Sequence, residues 1–200
     1  MYTKEICLYG GSFNPSGLHH LEIVKHLLTR FKQVAVIPCG MRPDKKSVNF
    51  IEPRHRQTMA KLMFGQLADR GVTFDFSDIN NSEFTRTWEL QERYGIYQKI
   101  WHCVGYDLVA GGSLGKSQIQ TQWAHGEEIW SAVNFFVIAS SFSDFDRRDL
   151  PPHSQLITLD LNGRSFYIRD AIKKGESFEQ MVTPEVAAYI KKNQLYSWKG

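Results

Sequence analysis

Eleven consecutive residues, Gly10-Gly11-Ser12-Phe13-Asn14-Pro15-Ser16-Gly17-Leu18-His19-His20, hold the types and spacing from which chemistry could be built. They follow an apolar, strand-like run from Ile6 to Tyr9 and lead into Leu21, Val24, Leu27 and Leu28 at helical spacing. A strand, a glycine-rich turn and a helix start in succession aim backbone N–H groups and the positive end of a helix dipole at one point. That is an anion site, and phosphate is its usual guest. His20 falls near the first turn of the helix, where its imidazole stands beside a bound phosphate. Glycine pairs are common between strands and helices for steric reasons. The added Phe13, Asn14, Pro15 and trailing His20 set this turn apart.

Two further places have suitable chemistry. Thr85, at an expected helix start, offers a hydroxyl and nearby N–H groups to a carboxylate or carboxamide, and a simple N-cap would look the same. Asp107 of Gly105-Tyr106-Asp107 follows a strand whose end belongs on the ligand side, and it too could be a plain N-cap.

These residues need elements to hold them. Strands are expected at Glu5–Tyr9, Gln33–Pro38, Val72–Phe76, Lys99–Val104, Asn134–Ala139 and Leu156–Leu159. Helices are expected at Leu18–Arg30, Arg54–Asp69, Thr85–Arg93, near Leu108, and at Ser165–Lys174 and Thr183–Asn193. Thr183-Pro184-Glu185 has the N-cap, first-turn proline and acid of a helix start, and Gly175 after Lys173-Lys174 is a helix stop. The stretches Gly111–Gln122 and Ser140–Ser154 read as loops. Strands alternating with helices predict an α/β, Rossmann-like fold: one domain over 1–200, a mostly parallel sheet with helices on both faces, and a C-terminal helical tail. Ligands in such sheets bind beyond the C-terminal strand ends, where the strand order reverses, and the turn from Gly10 to His20 belongs there.

Composition bounds the rest. Two hundred residues, 42% hydrophobic and 22% charged, suit one soluble domain with a full core. A net charge of +3 fits a pocket for small anions but not the basic stripe of a nucleic-acid binder. No apolar run approaches the ~18 residues of a membrane span, and the N-terminus lacks a signal-peptide pattern. Cys7, Cys39 and Cys103 lack metal spacing and read as buried thiols in a reducing compartment. The expectation is a cytoplasmic protein with neither a membrane nor a nucleic acid as partner.

The turn resembles the G-x-F-[DN]-P-x-[HT]-x-x-H signature of the nucleotidylyltransferase superfamily, and in particular the nicotinate or nicotinamide mononucleotide adenylyltransferases. Gly11, Phe13, Asn14, Pro15 and His20 fit; Gly17 stands where the family has His or Thr, and His19 where bacterial members usually have Gly. Pro43-Asp44-Lys45-Lys46, followed by Arg54-His55-Arg56 and Met59, resembles the family's lysine loop, with Lys46 favoured over Lys45 as the nucleotide contact. His55 and Arg56 read as structural. Phe84-Thr85-Arg86-Thr87 is a partial match to the segment lining the mononucleotide pocket. Gly105 and Asp107 resemble the family's Gly-x-Asp. Trp123 resembles its pyridine-stacking tryptophan, since an aromatic face attracts a pyridinium cation. Arg164-Ser165-Phe166-Tyr167-Ile168-Arg169 resembles a second signature, I-S-S-T-x-I-R, and the tail through Tyr196 fits as well.

The resemblance implies transfer of AMP from ATP to a pyridine mononucleotide with release of pyrophosphate, in NAD biosynthesis. It assigns catalysis to His20, Arg169 and Lys46. ATP falls to Gly10, Gly11, Ser12, Phe13, His20, Gly105, Asp107, Ser165 and Arg169, and the mononucleotide to Asn14, Lys46, Thr85 and Trp123. Mg2+ arrives with ATP, no resident metal site is expected, and a homo-oligomer is left open. The acid or amide preference also stays open. The same first signature opens pantetheine-phosphate adenylyltransferases and cytidylyltransferases, against which the length, the Trp123 segment and the tail weigh. Changes at Gly17, Arg164 and Phe166 raise a third reading, a nucleotide binder without transfer activity. Neighbours on a helix lie ~100° apart, so His20 is expected to face the phosphates and His19 to turn away. Gly17 would then leave a space for water, Gly17→His would be tolerated, and His19→Ala would be nearly silent.

Overall fold

The computed structural model describes residues 4–40, 51–81, 85–141, 144–160 and 163–198. Pro43, Asp44, Lys45, Lys46 and Phe84 lie outside them. Six strands pair in one sheet: β1 Glu5–Gly11, β2 Val34–Pro38, β3 Val72–Phe74, β4 Lys99–Gly105, β5 Asn134–Ser140 and β6 Ser154–Leu159. Their order is β3-β2-β1-β4-β5-β6 and every pairing is parallel. The order reverses between β1 and β4, whose C-terminal ends carry Gly10–Gly11 and Gly105. The expected turn therefore does sit at the switch point, where such sheets bind ligands.

Alternation along each strand splits the apolar side chains between two faces. Cys7, Tyr9, Val34, Val36, Trp101, Cys103, Phe136 and Ile138 turn to one face. Four helices cover it: α1 Leu18–Arg30, α2 Pro53–Phe64, α7 Ser165–Lys174 and α8 Pro184–Lys192. Ile6, Leu8, Ala35, Ile37 and Ile100 turn to the other face, under α4 Thr87–Arg93. Further along that face Val104, Phe135 and Val137 pack against Ile119 of α5 Gln118–Gln122 and Ile129 and Trp130 of α6 Gly126–Ala132. The short α3 Ser77–Asn81 follows β3.

Several expected boundaries shift for local reasons. The α-helix expected over Arg54–Asp69 passes into a 3-10 helix at Gly65, where glycine's backbone freedom weakens α-helix. The helix expected from Thr85 begins at Thr87, because Thr85 gives its N–H and hydroxyl to Asp78 instead of capping. The glycine-rich stretch Gly111–Gln122, expected to be loop, contains a 3-10 turn at Gly112–Leu114 and all of α5. Ser117 caps α5 by accepting the Gln120 N–H at 3.1 Å. All three cysteines are buried and free, as their settings suggested, and burial pushes the Cys7 and Cys103 thiols up from their ordinary range. No helix among the described residues is long and apolar enough to cross a membrane.

Candidate active site

Residues between β1 and α1 form the base of the site. Gly10 faces open space, whereas a Cβ on Gly11 would come within 3.0 Å of the Phe13 ring. Phe13 has a left-handed backbone (φ 43°), and its ring is buried against Tyr9, Phe64 and His20. Phe13 therefore shapes the turn from below and can offer a ligand its backbone alone. Arg56 of α2, buried, donates from Nη1 to the Ser12 carbonyl at 3.0 Å and the Cys39 carbonyl at 2.7 Å. It thus ties the turn to the chain leaving β2. Burial lowers its pKa, with Cys39 and Tyr196 acting the other way, but a guanidinium remains a cation.

Opposite this turn stands the N-terminal end of α7. Ser165 Oγ donates to the Pro15 carbonyl at 2.8 Å, and Arg169 Nη1 to the Asn14 carbonyl at 2.6 Å. Neither α1 nor α7 has an acidic residue in its first turn, so both dipoles present positive ends with no carboxylate beside them. The tail closes the arrangement: Tyr196 OH donates to Asn14 Oδ1 at 2.9 Å. Ser165 and Arg169 are thus joined to the Pro15 and Asn14 carbonyls of the turn that leads into His20. Arg164, just before α7, and Phe166 in its first turn are exposed, and the Phe166 ring lies edge-on to Tyr167.

The two histidines depart from expectation. Gly17 N–H donates to His20 Nδ1 at 3.0 Å, which places the proton of a neutral His20 on Nε2. His19 does not turn away. Its ring lies 3.8 Å from that of His20, centre to centre, and over Gly17. A Cβ on Gly17 would fall 2.7 Å from His19 Cε1 and 2.8 Å from Ile168 Cδ1. The space expected to hold water is filled. The ~100° rule fixes where Cβ atoms point, but side-chain torsions carry a ring further, and a missing side chain at 17 admits it. Burial pushes the His19 pKa down to about 4, so the imidazole is neutral at pH 7.

At the end of β4, a Cβ on Gly105 would fall on Asp107 Oδ1. The carboxylate folds back over Gly105, into space that a side chain there would take from it. Tyr106 OH donates to Asp149 at 3.0 Å, and Asp149 also accepts from Gly111 and Ser113 N–H, fixing the chain beyond. Thr85 lies after β3 in a separate polar cluster. Its hydroxyl donates to Asp78 at 2.5 Å and accepts from Arg93 Nη2 at 2.7 Å, so both its donor and one lone pair are engaged within the protein. Trp123, half-buried between α5 and α6, packs on the second core cluster. Neither residue touches the α1–α7 cradle through a described contact. Sequence reading gave Arg56 no part in the turn and Tyr196 no contact. Arg56 had a signal, since an arginine on a helix face otherwise made of Met59, Ala60 and Met63 must find buried acceptors. Tyr196 had none, being 182 residues from its partner.

Comparison with known proteins agrees with this fold. The family model of cytidylyltransferase-like proteins matches residues 8–175. A relative from Chloroherpeton thalassium, named "probable nicotinate-nucleotide adenylyltransferase", is 27% identical over 203 residues, covering 96% of this chain and 98% of its own. The nicotinic acid mononucleotide adenylyltransferase of Plasmodium falciparum, complexed with NaAD, superposes with a TM-score of 0.77 at 22% identity, covering 98% of each chain. The same enzyme complexed with APC gives 0.75 at 21% identity, again covering 98% of each chain.

Proposed function

The chain belongs to the cytidylyltransferase-like family, and we propose that it transfers AMP from ATP to nicotinate mononucleotide, releasing pyrophosphate, as a step of NAD biosynthesis. The observation that carries this is the cradle itself: two acid-free helix N-termini, Arg169 and His20 meeting on the Asn14 turn at the switch point. The names of the Chloroherpeton and Plasmodium relatives favour nicotinate as the pyridine, and the exposed Arg86 at the start of α4 adds a cation suited to its carboxylate.

In this reading an oxygen of the mononucleotide phosphate attacks the α-phosphorus of ATP. One P–O bond forms, the bond to the β-phosphate bridging oxygen breaks, and pyrophosphate leaves with its electron pair. The nucleophile is already an anion, so no general base is required. What the protein supplies is position and neutralisation of charge. His20 donates from Nε2 to the transferring phosphate, Arg169 and the α7 N–H groups hold the leaving pyrophosphate, and the α1 N–H groups receive the remaining oxygens. A lysine from Lys45-Lys46 adds charge, Asp107 holds nucleotide hydroxyls, and Trp123 stacks on the pyridine. Among the described residues no group of three or more His, Cys, Asp or Glu comes together around a cation site. The Mg2+ of this proposal arrives with the substrate, travelling on the ATP phosphates with much of its water.

The test is product formation from ATP and Mg2+ with nicotinate mononucleotide, nicotinamide mononucleotide, phosphopantetheine or, with CTP, a phosphorylated alcohol. Dinucleotide and pyrophosphate in equal amounts from nicotinate mononucleotide, faster than from the amide, are expected. Product from another pair reassigns the substrate, and ATP binding without product from any pair identifies a binder.

A further inference from the structure

Glycine at position 17 has no backbone reason to be there. Its φ of -127° and ψ of 170° are extended, a conformation open to any residue. What it provides is room, and the ring of His19 takes it. The Nδ1–Cε1 edge of that ring rests against Gly17, and Nδ1 would lie 3.1 Å from a Cβ on Gly163. Two glycines, one before α1 and one before α7, thus form a slot for one imidazole. Among the described residues neither ring nitrogen of His19 has a hydrogen-bond partner, although the residue is half-buried. It sits beside His20, between the two helix ends that frame the anion site.

We propose that His19 is a second catalytic imidazole, which reaches a phosphate oxygen of ATP from the space Gly17 leaves, and that Gly17 and His19 act as one coupled pair. The inference rests on the adenylyl-transfer reading above and adds a residue to it. With centres 3.8 Å apart and planes inclined at 40°, the two rings reach neighbouring phosphate oxygens, His20 through Nε2–H and His19 through its own Nε2–H. Burial keeps the His19 ring uncharged until the phosphate arrives, so it binds first as a hydrogen-bond donor. A larger residue at 17 would compete with the His19 ring for the slot, since its Cβ would fall on that ring.

The experiment compares turnover and thermal unfolding for the wild type, His19→Ala, His19→Asn, His20→Ala, Gly17→His and the exchange Gly17→His/His19→Gly. His19→Ala is expected to lose ~10²-fold in kcat, the scale of one preorganised donor, with an unchanged unfolding temperature; His19→Asn, which keeps an N–H, loses less. Gly17→His alone loses activity through the clash, and the exchange recovers most of it by returning one imidazole to one slot. His19→Ala within threefold of the wild type, while His20→Ala is crippled, overturns the inference and leaves adenylyl transfer standing. An exchange no better than His19→Ala overturns the coupling. A wild type that makes no product from any acceptor fails the functional reading instead. In that case 15N imidazole resonances decide: a His19 shift on adding Mg–ATP keeps the phosphate contact, and an unmoved His19 beside a shifted His20 removes it.

Discussion

Tyr196→Phe removes one oxygen from a contact spanning nearly the whole chain, and its consequence can be worked from the structure. The phenol donates to Asn14 Oδ1 at 2.9 Å, and Asn14 is 2% exposed. Water therefore cannot simply replace the lost donor. A neutral hydrogen bond contributes ~1 kcal/mol net, and leaving a buried acceptor short of its donor raises the loss to ~1–3 kcal/mol. The tail has little to spare, because Gln194, Tyr196 and Ser197 all hold left-handed φ values of 49°, 58° and 68°, a conformation costing L-residues ~1–2 kcal/mol each. A double-mutant cycle with Asn14→Ala, followed by urea unfolding, separates this bond from general damage. The expected coupling is ~1 kcal/mol, so Asn14→Ala should cost less once the hydroxyl is gone. Tyr196→Phe should also lower kcat, since the carboxamide it steadies belongs to the cradle held by Arg169. Additivity within ~0.5 kcal/mol, the behaviour of independent sites, would refute the reasoning even if both single variants were unstable.

Gly105→Ala should fold normally yet lose nucleotide affinity, measured by calorimetry with Mg–ATP, because its Cβ displaces the Asp107 carboxylate; unchanged affinity would detach Asp107 from the ligand. His102 is fully buried beside Gln91 and Phe135, and burial pushes its pKa from 6.5 down to about 4. Its folded state resists protonation while the unfolded chain accepts it, so stability falls as pH drops from 6.5 towards 4, by about 2 kcal/mol at pH 5 from this residue. His102→Leu should flatten that slope in urea unfolding at pH 7.5 and pH 5, and an unaltered slope would place the acid sensitivity elsewhere.

What was legible in the sequence was local. The strand, turn and helix around Gly10–His20 are fixed by neighbours within a few positions, so apolar spacing and glycine placement located them to within two residues. The same holds for α7 and α8, which have their own caps and stops. The polar, glycine-rich stretch ahead of β5 hid α5 and α6, because five- and seven-residue helices owe their existence to packing on Phe135 and Val137 rather than to a periodic pattern. Thr85 shows the same limit in a site residue. Its type suited a carboxylate, but nothing nearby announced that Asp78 and Arg93 would engage its hydroxyl. Contacts at separations of 150, 155 and 182 residues, which join Ser165, Arg169 and Tyr196 to the first turn, leave no local trace at all.

Those long-range contacts also bear on whether the departures from the family signatures disable the site. Three departures fall at positions expected around the ATP phosphates: 17, 164 and 166. At 17 the lost side chain is replaced in space by the ring of His19. At 164 and 166, at the start of α7, the replacements are exposed and make no described contact that joins the helix to the turn. The hydrogen bonds that do join it run through Ser165 and Arg169, both of which match the second signature. A binder that had drifted from catalysis would be free to lose the groups that position and neutralise a transferring phosphate. Here the changes fall around the residues proposed for that role and leave their hydrogen bonds to the turn in place, the pattern expected if transfer is retained and His19 serves as proposed.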